Sequence, residues 1–158
     1  MTSQRFQIPL NFKRLNLETM HNRAQEFQSL MQQRRSVRDF SNEVVPIAII
    51  NQALLTAGSA PSGANLQPWH FSVVTDPLIK TEIQQKAEQE ERQFYESRAP
   101  KTWLNALKPL QTNASKPFLF EAPVLIVIFM QKQVRNHKKQ TVKSYYPNES
   151  VGIATGFF

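Results

Sequence analysis

The chain has 158 residues, 41% of them hydrophobic, which is enough for one domain with a real core and gives no reason to expect two. Cysteine is absent, which excludes disulfides, thiolate metal sites and cysteine nucleophiles, so any redox chemistry has to come from a bound group. Nineteen Lys and Arg against 12 Asp and Glu give a net charge of +7, which favours anionic partners, but without zinc-finger spacing, a basic zipper or an RNP-like aromatic motif nucleic acid is not an expected partner.

The opening MTSQRFQIPLNFKR lacks the apolar stretch of a secretory signal, and residues 1–16 read as an N-terminal extension. From Glu18 to Gln32, Met20, Ala24, Phe27, Leu30 and Met31 recur at the spacing of an amphipathic helix. RRSVRDF (34–40) follows. Pro46 stands where the first residue of a second helix belongs, with Ile47, Ile50, Leu54 and Ala57 as its stripe and Gly58 as its end. The turn-forming SAPSGANLQP then leads to WHFSVVT, Trp69 to Thr75, whose β-branched and aromatic residues predict a strand.

Asp76 and Pro77 form a cap and first-turn pair for a long helix that includes Ile79, Ile83, Ala87 and Phe94 and is expected to reach about Tyr95. Trp103 to Leu110 is a weaker helical segment ending near Pro109. Val124 to Phe129 is an unbroken apolar run that predicts a strand covered on both faces. The basic cluster Lys132 to Lys143 reads as a solvated loop. Asn148 or Ser150 is expected to cap a last helix containing Val151, Ile153, Ala154, Phe157 and Phe158, and an apolar continuation is expected beyond it. This order of helices and strands predicts an α+β or α/β layered domain over 17–158. The longest apolar run, Ala122 to Met130, is too short to cross a bilayer, so a soluble cytoplasmic protein without membrane partners is expected, and the N-x-[ST] triplets at Asn113 and Asn148 count as chance matches.

Three groups of residues carry chemistry. Arg34, Arg35, Ser36 and Arg38 offer guanidinium and hydroxyl donors for a phosphate, although such a run is equally a solvated basic edge. Pro61, Ser62, Gly63, Ala64 and Asn65 are small or amide-bearing, suited to close approach by a flat ligand, or an ordinary loop. Glu91 and Tyr95, four apart on one helix, and Lys116 further on could hold the two ends of an amino-acid zwitterion. The bland alternative leaves Glu91 on a wet acidic face with Glu88 and Glu90, Tyr95 in the core and Lys116 on the surface. None of these groups has metal-ligand spacing, and no metal is expected.

RRSVRDF followed by APSGANLQPWHFSVV (60–74) resembles the opening of the nitroreductase family, whose members bind FMN at a homodimer interface. EERQFY (90–95) through KPFLFEAPVLIVIF (116–129) resembles the active-site lid of the iodotyrosine deiodinase branch, and YYPNESVGIATG (145–156) resembles the start of its long central helix. The resemblance implies a three-layer α+β domain with a central mixed sheet flanked by helices, incomplete at its C-terminus in this chain. It places Arg34, Arg35 and Ser36 at the FMN phosphate and ribityl chain, Arg38 at the pyrimidine edge, and Pro61, Ser62 and Gly63 along the ring. Ala64, Glu91, Tyr95 and Lys116 are then the substrate residues.

The implied activity is reductive dehalogenation of a halotyrosine. The flavin carries the chemistry, no side chain is assigned a catalytic role, and electrons derive from NAD(P)H, directly or through a partner reductase. The alternatives are a generic FMN nitroreductase or quinone reductase, and a truncated, non-catalytic chain of the same fold.

Overall fold

The computed structural model describes residues 10–136 and 138–158. Residues 1–9 of the expected N-terminal extension, and position 137 within the basic cluster, lie outside them. The chain divides into two compact units, one ending at Val37 and one running from Arg38 to Phe158.

In the first unit, helix α1 spans Leu17–Gln32. Asn16 starts it by accepting the Thr19 N–H on its side-chain oxygen at 2.8 Å, which satisfies one of the first-turn donors. The apolar stripe Met20, Phe27, Leu30 and Met31 is exposed along its length. At the far end the Arg35 guanidinium donates to the Gln32 carbonyl at 2.7 Å and the Arg34 carbonyl at 2.9 Å, placing a cation where the helix leaves orphan acceptors.

The second unit begins with α2, Ile47–Gly58. Pro46 caps this helix instead of opening it: its extended ψ of 131° keeps it outside, while its carbonyl accepts the Ile49 N–H at 2.9 Å. Ile50, Leu54 and Ala57 turn inward as expected, with Ala57 wholly buried, but Ile47 is exposed. Strand β1, Trp69–Val74, pairs antiparallel with β2, Leu125–Met130, from Trp69 opposite Met130 to Val74 opposite Leu125. Helix α3, Pro77–Gln93, starts as expected: the Asp76 carboxylate accepts from the Leu78 and Ile79 N–H groups at 2.8 and 3.3 Å.

Beyond α3 the helix continues as a π turn, Phe94–Arg98, closed by the Ala99 N–H on the Phe94 carbonyl at 2.8 Å. Helix α4, Lys101–Leu107, and a 3-10 turn at Lys108–Leu110 replace the single weak helix predicted from Trp103. A one-turn helix, α5, occupies Phe118–Glu121, where no element was expected.

The α+β order holds, while the sheet is narrower than the implied central mixed sheet: among the described residues β1 and β2 form an antiparallel pair only. Nor is β2 covered on both faces. The last helix packs against both strands, yet Phe129 and Met130 remain 51% and 38% exposed.

The basic cluster is not a loop either. Gln133–Arg135 (β3) and Thr141–Lys143 (β4) form a hairpin in which Val134 faces Val142, and Val134 is buried. Apolar residues alternating with polar ones outweigh the charge of the segment. Asn136 holds the turn by accepting the Lys138 and Gln140 N–H groups on its side-chain oxygen at 2.9 and 3.0 Å.

Helix α6 spans Pro147–Phe157 and is capped by neither Asn148 nor Ser150. Pro147, with its φ preset for a first turn, moves the start earlier, and Tyr146 takes the cap position with a left-handed φ of 48°. Ser150 lies inside the helix, 3% exposed, and donates its hydroxyl to the Tyr146 carbonyl at 2.7 Å.

Candidate functional site

Helix α3, its π turn, α4 and the segment leading into α5 border an open cavity of about 770 Å³ whose lining includes Arg38, Glu91, Tyr95, Trp103, Lys116 and Phe118. The Lys116 ammonium lies 3.1 Å from the Glu91 carboxylate, with 17% and 37% of the two side chains exposed. Lys116 also donates to the Asn113 carbonyl. The Tyr95 hydroxyl donates to the Thr112 hydroxyl at 3.1 Å, which ties the π turn to the chain just ahead of Lys116.

The apolar wall is built from rings. Phe94 meets Tyr95 and Trp103 edge-on at centroid distances of 5.7 and 5.3 Å, the arrangement ring quadrupoles favour. On the rim, Arg98 folds back to the Glu90 carboxylate at 2.6 Å and the Glu90 carbonyl at 3.1 Å. The site therefore combines one opposed charge pair with an aromatic wall, which suits a ligand bearing both charges of an amino acid next to a flat ring.

One turn before Glu91, Glu88 holds the main chain of Lys116. Its carboxylate accepts the Lys116 backbone N–H at 2.8 Å and the Gln84 amide at 3.0 Å. The Lys116 N–H, then Gln84, and then the Arg92 guanidinium keep its carboxyl below the usual carboxylate range against the opposing effect of burial.

The loop 59–68 is a separate construction. Ser62 accepts the Gln67 N–H on its hydroxyl at 2.9 Å, and Ala64, Asn65 and Gln67 all have left-handed φ, at 51°, 53° and 49°. Those conformations are uncommon for residues with a Cβ, and they turn successive backbone groups of the loop to different sides. Gly63 is required by contact: a Cβ there would stand 2.5 Å from the Tyr145 carbonyl oxygen.

Of the residues singled out in the sequence, Glu91, Tyr95, Lys116 and Arg38 line the one cavity. Pro61, Ser62, Gly63 and Ala64 belong to the loop and do not line it. Arg34, Arg35 and Ser36 belong to the first unit. Sequence reasoning missed Lys80 and assigned Glu88 to the acidic face. Lys80 is 7% exposed and donates to the carbonyls of Phe120 and Ala122, both at 2.8 Å, with its ammonium 5.3 Å from the centre of the Phe120 ring. A signal existed, since Lys80 falls on the same stripe as Ile83 and Ala87. In the sequence Trp103 stands out only as the start of a weak helical segment, and Phe118 only as part of KPFLFEAPVLIVIF.

The Nitroreductase family profile matches residues 31–158. The chain belongs to the nitroreductase family. Within that family it is similar to iodotyrosine deiodinases. It is 44% identical to the iodotyrosine deiodinase of Haliscomenobacter hydrossis over 150 residues, 95% of this chain and 68% of that one. It is 44% identical to iodotyrosine deiodinase 1 of Homo sapiens over 151 residues, 94% of this chain and 52% of that one.

Among solved structures it matches the crystal structure of oxidized iodotyrosine deiodinase bound to FMN and 3-iodo-L-tyrosine, with a TM-score of 0.71 and 34% identity over 82% of this chain and 65% of that one. It also matches an FMN-dependent nitroreductase from Clostridium difficile at a TM-score of 0.55 and 28% identity, over 85% of this chain and 53% of that one. The chain thus has the nitroreductase-like fold, and it spans 52% of the length of the human relative and 68% of the bacterial one.

Proposed function

We propose that this chain contributes the amino-acid-binding part of an FMN-dependent oxidoreductase that reductively dehalogenates halotyrosines. The observation that carries the reading is the Lys116–Glu91 pair at 3.1 Å inside an aromatic cavity. A zwitterion entering there exchanges one ion pair for two, with its ammonium on Glu91 and its carboxylate on Lys116, supported by the Tyr95 hydroxyl. A phenol without the amino-acid group would leave the pair as it stands and gain nothing from it, so the pair selects for amino acids. The aromatic wall of Phe94, Tyr95 and Trp103 offers the ring end of such a ligand apolar contact. The similarity to deiodinases, including one bound to FMN and 3-iodo-L-tyrosine, supports the same reading.

The donor chemistry of the remaining residues fits FMN. Arg34, Arg35 and Ser36 provide guanidinium and hydroxyl donors for a phosphate, and Arg38 provides a cation for an electron-rich ring edge. Pro61, Ser62 and Gly63 provide a loop without bulky side chains, and the backbone of Ala64 is assigned to the substrate. When bound, FMN supplies the electrons that expel halide, and these come from NAD(P)H, directly or through a partner reductase. The reading also takes residues 1–16 as an extension ahead of a nitroreductase-like domain, the protein as a homodimer, and the cytoplasm as its location. Among the described residues no helix is long and apolar enough to cross a membrane.

The test is calorimetric titration of the full chain, supplied with FMN, with 3-iodo-L-tyrosine. Lys116→Met and Glu91→Gln should each weaken binding by about tenfold or more, the loss of a charged partner, while FMN uptake is unchanged. Wild-type affinity in both variants would remove the halotyrosine assignment. Turnover of nitroaromatics or quinones with no preference for a zwitterion would put a generic reductase in its place.

A further inference from the structure

The stretch from Lys116 to Ala122 is tied to α3 at both ends. At its start the Glu88 carboxylate accepts the Lys116 N–H at 2.8 Å, and at its end the Lys80 ammonium donates to the carbonyls of Phe120 and Ala122. Both side chains belong to the helix that also carries Glu91. Pro117 has no N–H, so the amide of Lys116 is the donor through which the beginning of this stretch can be anchored. Glu88 is itself held in place: Gln84 donates to the same carboxylate oxygen at 3.0 Å, Arg92 stands 3.7 Å from the other oxygen, and the side chain is 19% exposed. Glu88 is not among the residues that line the cavity.

We propose that Glu88 is a positioning residue for the amino-acid site: by fixing the main chain of Lys116 it sets where that ammonium stands relative to the Glu91 carboxylate, and so sets the affinity for a zwitterion. The inference rests on the reading of the cavity given above. An amine on a flexible stem could reach many places if its backbone moved. With its amide tied to Glu88, the same stem has to span a fixed distance to Glu91, so less freedom is lost when ligand binds. What Glu88 contributes is an acceptor oxygen, and a glutamine at 88 still supplies one.

The test compares Glu88→Ala and Glu88→Gln with wild type, using the full chain supplied with FMN. Titration with 3-iodo-L-tyrosine and with 3-iodotyramine, which lacks the carboxylate, is combined with amide hydrogen exchange at Lys116. In Glu88→Ala the affinity for iodotyrosine should fall about tenfold, the exchange of the Lys116 amide should accelerate, and iodotyramine binding and FMN uptake should stay as in wild type. Glu88→Gln should stay within about threefold of wild type. Equal losses for both ligands would mark a general loosening and overturn the proposal, as would wild-type iodotyrosine affinity in Glu88→Ala. If wild type binds neither ligand, the reading of the cavity fails; the positioning role is then judged by exchange alone, and unchanged protection of Lys116 in Glu88→Ala overturns it.

Discussion

Replacing Lys80 by Met keeps a stem of similar length and removes the ammonium. The 7% exposure of Lys80 means that the charge has been taken almost wholly out of water, while its bonds to the Phe120 and Ala122 carbonyls, both 2.8 Å, return stabilisation. The gross attraction of the two bonds to the ammonium is offset by the several kcal/mol that desolvating it costs, so these two effects largely cancel when the ammonium is removed.

What remains is the pair of carbonyls. That of Phe120 is only partly buried and regains water, whereas that of Ala122 is buried and is left without a donor, which costs about 1–3 kcal/mol. Lys80→Met should therefore lose about 2 kcal/mol in urea unfolding followed by circular dichroism, a drop in midpoint at unchanged slope. Lys86→Met, on an exposed position of the same helix, should stay within about 0.5 kcal/mol of wild type. A Lys80→Met protein as stable as wild type would mean that the ammonium does not hold α5, and the account of how the Lys116 stretch is anchored would fail with it.

Asp76→Ala removes the acceptor for the Leu78 and Ile79 N–H groups and should cost about 1 kcal/mol in the same assay. Gly63→Ala places a Cβ 2.5 Å from the Tyr145 carbonyl oxygen, a backbone atom that cannot swing aside, and should destabilise by about 1–3 kcal/mol; a melting temperature equal to wild type would show that the loop has slack. The folded Glu88 carboxyl titrates below its unfolded value. The stability it lends is thus complete above the unfolded value, declines as pH falls past it and is gone below the folded one. Acid unfolding of Glu88→Gln should show a shallower pH dependence over that window, and identical acid limbs would contradict the Lys116 contact.

Local signals made much of the fold legible. Asp76 marks the start of α3 because a cap acts within a few residues, whereas Asn16 and Pro147, whose signals are as local, are passed over by the expected starts at Glu18 and at Asn148 or Ser150. The two strands, though not their pairing, were visible because WHFSVV and VLIVIF are rich in β-branched and aromatic residues. What stayed hidden depends on partners far along the chain. Nothing near Phe118 announces α5, which is held by Lys80, and nothing in the Lys132 to Lys143 cluster except Val134 and Val142 announces a hairpin. In the same way Glu91 and Tyr95 could be placed on one face from their spacing, while Glu88 looked like one more acidic residue until the Lys116 amide, 28 positions away, was found against it.

The π turn shows how a local rule can give a correct neighbourhood and still miss the geometry. Four-residue spacing places Tyr95 above Glu91 on an α-helix, and that helix was expected to end there. In the structure the turn Phe94–Arg98 is wound wider, with the Ala99 N–H reaching five residues back to Phe94. A wider turn fits an extra residue into one revolution, so the side chains after it are rotated from the faces that α-helical spacing assigns. This brings Arg98 back onto Glu90, and Tyr95, at the start of the turn, reaches Thr112 instead of ending the helix. The cavity is thus lined in part where the helix departs from its regular period, so periodicity could place Glu91 and Tyr95 near one another but not give the direction of their contacts.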